Sequence, residues 1–195
     1  MALETDKFVY FHIPKTGGTW IRNAIKKSGI ICKEVGDTHI TVRRILHDYD
    51  YAHILRDKHV IVSIRNPYSW YQSYWSFKMK VGWSMNNPFD NLCASNDFNR
   101  FMINVYDNCS EYYNHIIDSF LIDEYVNCVI LYESLVTDFT RAMRDIYGFD
   151  CSFSDSRVNV SDMSGLRSYD MARYNDYTYG LVSKMNGHII DKYYA

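Results

Sequence analysis

Proline is scarce in this 195-residue chain, with three residues, and no apolar run approaches the roughly 18 residues of a membrane-spanning helix. The five cysteines, Cys32, Cys93, Cys109, Cys128 and Cys151, are odd in number and include no C-x-x-C pair. A disulfide framework or a zinc site needs better spacing, so they read as reduced thiols and no metal is expected. An excess of one charge is also missing: 21 Lys and Arg against 23 Asp and Glu leave a net charge of −2, which argues against a general affinity for nucleic acid. The opening MALETDKFVY lacks the basic and apolar regions of a signal peptide. These absences predict a cytoplasmic protein with neither a nucleic-acid nor a membrane partner. At this length one domain, 1–195, is expected, burying ~70% of its chain surface.

Aromatic residues are what the chain has in abundance: 18 Tyr, 10 Phe and 4 Trp, or 16%. Hydrophobic residues make up 47%, which excludes a disordered chain. Lys7–Ile13, His59–Ile64 and Asn127–Tyr132 are β-branched or aromatic runs and predict buried strands. A short strand is also expected at Ile30–Lys33. Helical spacing predicts helices over Thr19–Ser28, Thr41–Asp48, Pro67–Lys78, Asp97–Tyr106, Glu111–Phe120 and Ser134–Tyr147, with one broken or two short helices over Tyr169–Tyr194. Lys80–Asn96 reads as a long loop and Cys151–Arg167 as irregular. Strands alternating with helices predict an α/β fold with a central parallel sheet, its ligand at the carboxyl ends of the strands.

Those ends carry the informative residues. After the first strand comes HIPKTGGTW, leading into a helix. Gly17 and Gly18 let the backbone approach a ligand, the helix start offers free N–H groups, and Lys15, Thr16 and Thr19 add a charge and two hydroxyls. The pattern is an anion cradle. It is not a Walker A loop, in which the lysine follows the glycines. After the second strand comes SIRNPYSWYQSYW, where Arg65 offers a fixed fork of donors and Ser69, Ser73 and Ser76 share one helix face.

PKTGGTW resembles the 5′-phosphosulfate loop of the sulfotransferases that use 3′-phosphoadenosine 5′-phosphosulfate (PAPS). It matches at Pro14, Lys15, Thr16, Gly17, Thr19 and Trp20, with Gly18 the departure. HIPKTGGT is closer to the carbohydrate-type members. Arg65 with Ser73, eight residues on, resembles the pair that binds the 3′-phosphate in that family. ILYESLVTDF and VNVSDMSGLRSYD echo two further stretches; Arg157, just before the latter, and Arg167 within it are candidate phosphate contacts. The resemblance implies a P-loop-like sulfotransferase fold. It further implies PAPS as co-substrate, Lys15 and the loop amides on the 5′-phosphate and sulfuryl group, and Trp20 stacked on adenine. The alternative for Trp20 is a core-facing helix residue.

Sulfuryl transfer calls for a general base. His39, in EVGDTHI, resembles the K-T-H of cytosolic sulfotransferases at Thr38 and His39, although it lies only 24 residues after Lys15. Asp37 and Glu34 are the alternatives, while His12 reads as a packed histidine. Trp83 and Phe89, in the expected loop, can wall an acceptor pocket. The expected function is sulfuryl transfer from PAPS to a hydroxyl of a glycan or small metabolite. The alternatives are a small P-loop-type nucleotide kinase, which would need ATP and Mg²⁺, and a nucleotide-binding module without chemistry.

Overall fold

The computed structural model describes residues 1–37, 39–48, 52–148, 153 and 171–195. Five strands, β1 (Ala2–Glu4), β2 (Phe8–Phe11), β3 (Lys33–Val35), β4 (His59–Ile64) and β5 (Cys128–Leu131), form one sheet in the order β3-β1-β2-β4-β5. The helices are α1 (Gly18–Lys27), α2 (Val42–His47), α3 (Pro67–Val81), α4 (Pro88–Cys93), α5 (Phe98–Cys109), α6 (Tyr112–Phe120), α7 (Leu135–Tyr147) and α8 (Asp176–Tyr193). The architecture is α/β, a sheet flanked by helices. None of these helices is long and apolar enough to cross a membrane.

The expected parallel sheet is corrected to a mixed one. β2, β4 and β5 are parallel, but β1 pairs antiparallel with both β2 and β3. The reason lies in the turn between β1 and β2. Three residues cannot make the crossover that parallel strands require. Thr5 closes this turn, its Oγ1 accepting from the Phe8 N–H at 2.9 Å and donating to the Phe8 carbonyl at 3.0 Å.

The described chain divides into two compact units, Met1–Arg65 with Ile116–Asn159, and Asn66–His115 with Val160–Ala195. In the first, alternate strand residues Phe8 and Tyr10 share a sheet face with Leu3, Ile61 and Ile130. Against it lie Trp20, Ile21, Ala24 and Ile25 of α1 and Leu135, Phe139, Ala142 and Met143 of α7.

The second unit uses the aromatic surplus. Trp70 stacks on Tyr74 at 5.1 Å, Tyr74 meets Phe89 edge-on at 5.2 Å, and Phe89 stacks on Tyr112 at 3.8 Å. α3 begins as its sequence predicts, with Pro67 in the first turn and the Asn66 side chain accepting from the Tyr68 N–H at 3.0 Å. The expected loop at Lys80–Asn96 instead contains α4. Asn87 caps it, accepting from the Phe89 and Asp90 N–H groups, and Pro88 occupies its first turn. Phe89 is therefore a core residue, 2% exposed, and not the wall of a pocket. α8 is broken at Asn186, whose φ of −126° is non-helical; this fits the expected interrupted helix.

Candidate active site

Between β2 and α1 the chain passes through two left-handed residues, Lys15 at φ 67° and Gly17 at φ 82°. For Lys15, which carries a Cβ, that conformation costs on the order of 1–2 kcal/mol. Arg65, at the end of β4, holds it: Nη1 donates to the Lys15 carbonyl at 3.1 Å, while the guanidinium lies 3.9 Å over the Tyr132 ring. A Cβ at Gly17 would fall 2.7 Å from Leu135 Cδ2, and one at Gly18 would fall 1.9 Å from the His12 ring. Neither position has room for a side chain.

Gly17 caps α1 with no side-chain hydrogen bond. Among the described residues, the main-chain N–H groups of Gly17, Gly18 and Thr19 meet no acceptor. These donors point out of the positive end of a ten-residue helix. With Lys15 two residues before Gly17, the arrangement suits a phosphate or sulfate ester.

Below the loop is a buried hydroxyl relay. Thr16 Oγ1 donates to the Ile13 carbonyl at 2.8 Å and lies 2.8 Å from Ser63 Oγ, which lies 2.8 Å from Tyr10 OH. The carbonyl can only accept, so the proton direction follows: Tyr10 donates to Ser63, and Ser63 to Thr16. The Thr16 hydroxyl proton is thus committed within the fold. Thr16 shapes the cradle and does not offer that proton to a ligand. Ser63 and Tyr10 have no motif to mark them in sequence; only the pairing of β2 with β4 brings them under the loop.

His39 also has a positive φ, 63°. Its Nδ1 lies 3.1 Å from the His12 carbonyl, and the two rings meet edge-to-face with centroids 5.0 Å apart. Because a carbonyl only accepts, Nδ1 carries the proton and the lone pair is on Nε2. Burial, with smaller contributions from the chain's amino group and Arg22, lowers the His39 pKa and favours the neutral ring. The alternative bases are held elsewhere. Glu34 pairs with Arg22 at 2.5 Å and Lys26 at 3.3 Å, and Asp37 pairs with Arg44 at 2.5 Å.

Lys15, Thr16, Gly17, Gly18, Thr19, Arg65 and His39 thus belong to one connected set of contacts in the first unit. Trp20 is buried, 6% exposed, and edge-on to Phe139 at 5.8 Å and Phe153 at 6.2 Å. It fills the core between α1 and α7; the ring that the resemblance assigned to adenine is not presented at the surface. Ser73 is half-buried on α3 in the second unit. Arg167, Arg157 and Thr38 lie outside the described residues. No group of three or more His, Cys, Asp or Glu side chains among the described residues is arranged to hold a metal ion.

Burial, then the neighbouring His39 and Arg22, pushes the His12 pKa down to about 3. Between pH 6.5 and that value the unfolded chain binds the proton that the folded chain refuses. Stability is therefore retained above pH 6.5 and falls with pH by up to about 1.4 kcal/mol per unit from this group alone. Thermal melts across this range should show a shallower acid limb for His12→Phe than for the parent; an unchanged limb would show that another group causes it.

No protein-family model, curated protein or solved structure matches the chain.

Proposed function

We propose that the chain is a PAPS-dependent sulfotransferase acting on a hydroxyl of a glycan or small metabolite. The observation that carries this reading is the set of acceptor-less amides at Gly17, Gly18 and Thr19, which opens α1 in the sequence PKTGGTW and lies in one contact set with a histidine whose Nδ1 is 3.1 Å from the His12 carbonyl. In this reading Lys15 and the amides bind the 5′-phosphate and the sulfuryl group, and they offset the charge that develops on the leaving oxygen. His39 Nε2 takes the acceptor's proton. The acceptor oxygen bonds to sulfur as the bond from sulfur to the 5′-phosphate oxygen breaks, and the electron pair leaves on 3′-phosphoadenosine 5′-phosphate. On the same reading the fold is of the P-loop-like sulfotransferase kind, Ser73 and Arg167 are nucleotide-binding residues, and the chain works in the cytoplasm.

The direct experiment follows nucleotide release with panels of sugar and phenolic acceptors. Formation of 3′-phosphoadenosine 5′-phosphate from PAPS that depends on an acceptor and on His39 is the expected result. Formation of ADP from ATP and Mg²⁺ under the same conditions would assign a kinase. Tight nucleotide binding without release, whatever the acceptor, would leave a binding module.

Arg65 supplies a second prediction. Arg65→Ala should weaken 3′-phosphoadenosine 5′-phosphate binding by about ten- to hundredfold, the worth of one charge-assisted contact at ~1.5–3 kcal/mol. Titration with adenosine 5′-phosphate, which lacks the 3′-phosphate, should show a clearly smaller loss, that of the Lys15 carbonyl contact alone. Equal losses for both ligands would mean that Arg65 acts only through the Lys15 carbonyl.

A further inference from the structure

Three contacts converge on His12, a residue that the reaction above does not use. Its main-chain oxygen receives the His39 Nδ1–H at 3.1 Å. Its ring meets the His39 ring edge-to-face at a centroid distance of 5.0 Å. The same ring occupies the space over Gly18, where a Cβ would come within 1.9 Å of it. Gly18 is one of the three residues whose amides lack an acceptor.

We propose that His12 is a positioning residue that joins the base to the anion cradle: its carbonyl fixes His39 as the Nδ1–H tautomer, and its ring, wedged between His39 and Gly18, sets the base against the open amides. The inference rests on the reading of His39 as general base and adds what holds that base in its working form. Neutrality of the His12 ring belongs to the same device. Burial comes first, and the groups whose charge bears on the ring are His39, Arg22 and the chain's amino group; together they keep it uncharged near neutrality. A charged ring would repel a proton arriving on His39. The glycine at position 18 also gains a physical reason, since a Thr or Ser there would collide with the His12 ring.

Heteronuclear NMR of histidine side chains tests this without any reaction. In the unmodified protein His39 is expected as the Nδ1–H tautomer, with a midpoint below the ordinary ~6.5 of a free histidine. His12→Phe, which keeps a ring and the carbonyl, should preserve both. His12→Ala and Gly18→Ala keep the carbonyl but remove or displace the ring that holds His39 against it, and should return His39 to mixed tautomers. In the PAPS reaction they should lower kcat by about 10–100-fold, the usual penalty for a misplaced group, with a smaller change in KM. His39 on the Nε2–H tautomer in the unmodified protein would overturn the proposal, and so would a His12→Ala protein in which tautomer and midpoint are unchanged. The unmodified-protein spectrum decides the matter even if a variant fails to fold. A fixed Nδ1–H tautomer with no sulfuryl transfer would support the positioning role and count against the reaction alone.

Discussion

Turnover should fall by about 10²–10⁴-fold in His39→Ala, the usual worth of general base catalysis, with nucleotide affinity nearly intact. The base touches the acceptor and not the nucleotide, so binding and chemistry separate. Lys15→Ala should weaken both, because its charge serves the bound phosphate and, more strongly, the leaving oxygen. The pH dependence adds a signature. The base works as the neutral ring, and burial lowers its pKa, so activity should rise through an ionisation below ~6.5 and hold above it. That limb should disappear in His39→Ala. Rate profiles of the two proteins check the assignment; near-normal turnover in the variant would move the role to Asp37 or Glu34, despite their ion pairs.

The second large effect is on stability and lies in the other unit. Asp90 is fully buried, yet it accepts from Tyr74 OH at 2.6 Å, the Ser84 N–H at 2.8 Å and Lys78 Nζ at 2.5 Å. Burial alone would raise its pKa, but hydrogen bonds from Lys78, Tyr74 and Ser84 outweigh it and hold the carboxyl below its ordinary value. Its contribution is therefore present above the unfolded pKa of ~3.9 and lost as pH falls through the lower folded value. Asp90→Asn leaves a nearly buried ammonium without its counter-ion, and should cost ~3–5 kcal/mol. Denaturant titration checks it. Adding Lys78→Met to Asp90→Asn should recover much of the loss, since the double change removes the orphaned charge; no recovery would mean that the pair is not what stabilises α3 against α4.

How far these features can be read from the sequence varies with their range. The anion loop is legible because its physics is local: a strand runs directly into HIPKTGGTW, whose nine residues hold two glycines and a helix start. Helix α3 is legible for the same reason, through Asn66 and Pro67. α4 carries the same signal in Asn87 and Pro88, yet its six residues sit among the Gly, Asn and Pro of a stretch that reads as loop. β1 is only ALE, too short and without β-branching to register as a strand, and it is fixed by the partners on either side. Strands alternating with helices predict a parallel sheet, and this one three-residue strand makes the sheet mixed.

Within the site, the residues that touch across chain distance were the hidden ones. Ser63 reaches Thr16 from 47 positions away, and His39 reaches His12 from 27. Nothing in periodicity reports such pairs. The Thr16 hydroxyl beside a carbonyl and the Trp20 indole on an amphipathic helix are claimed by the fold, at positions where the sequence alone reads a ligand hydroxyl and an adenine platform.

On the proposed reading the loop binds an adenine nucleotide carrying both a 5′- and a 3′-phosphate, as a sulfotransferase would. Thermal melting of the unmodified protein with 3′-phosphoadenosine 5′-phosphate, against ATP with Mg²⁺, tests it most directly. At a ligand concentration of 100 times Kd, stabilisation should be about 2.7 kcal/mol, or a rise in Tm of roughly 5–10 °C, lost in Lys15→Ala. ATP with Mg²⁺ should produce a much smaller shift. A larger shift with ATP and Mg²⁺ than with the bisphosphate, or no shift with the bisphosphate at any concentration, would contradict it.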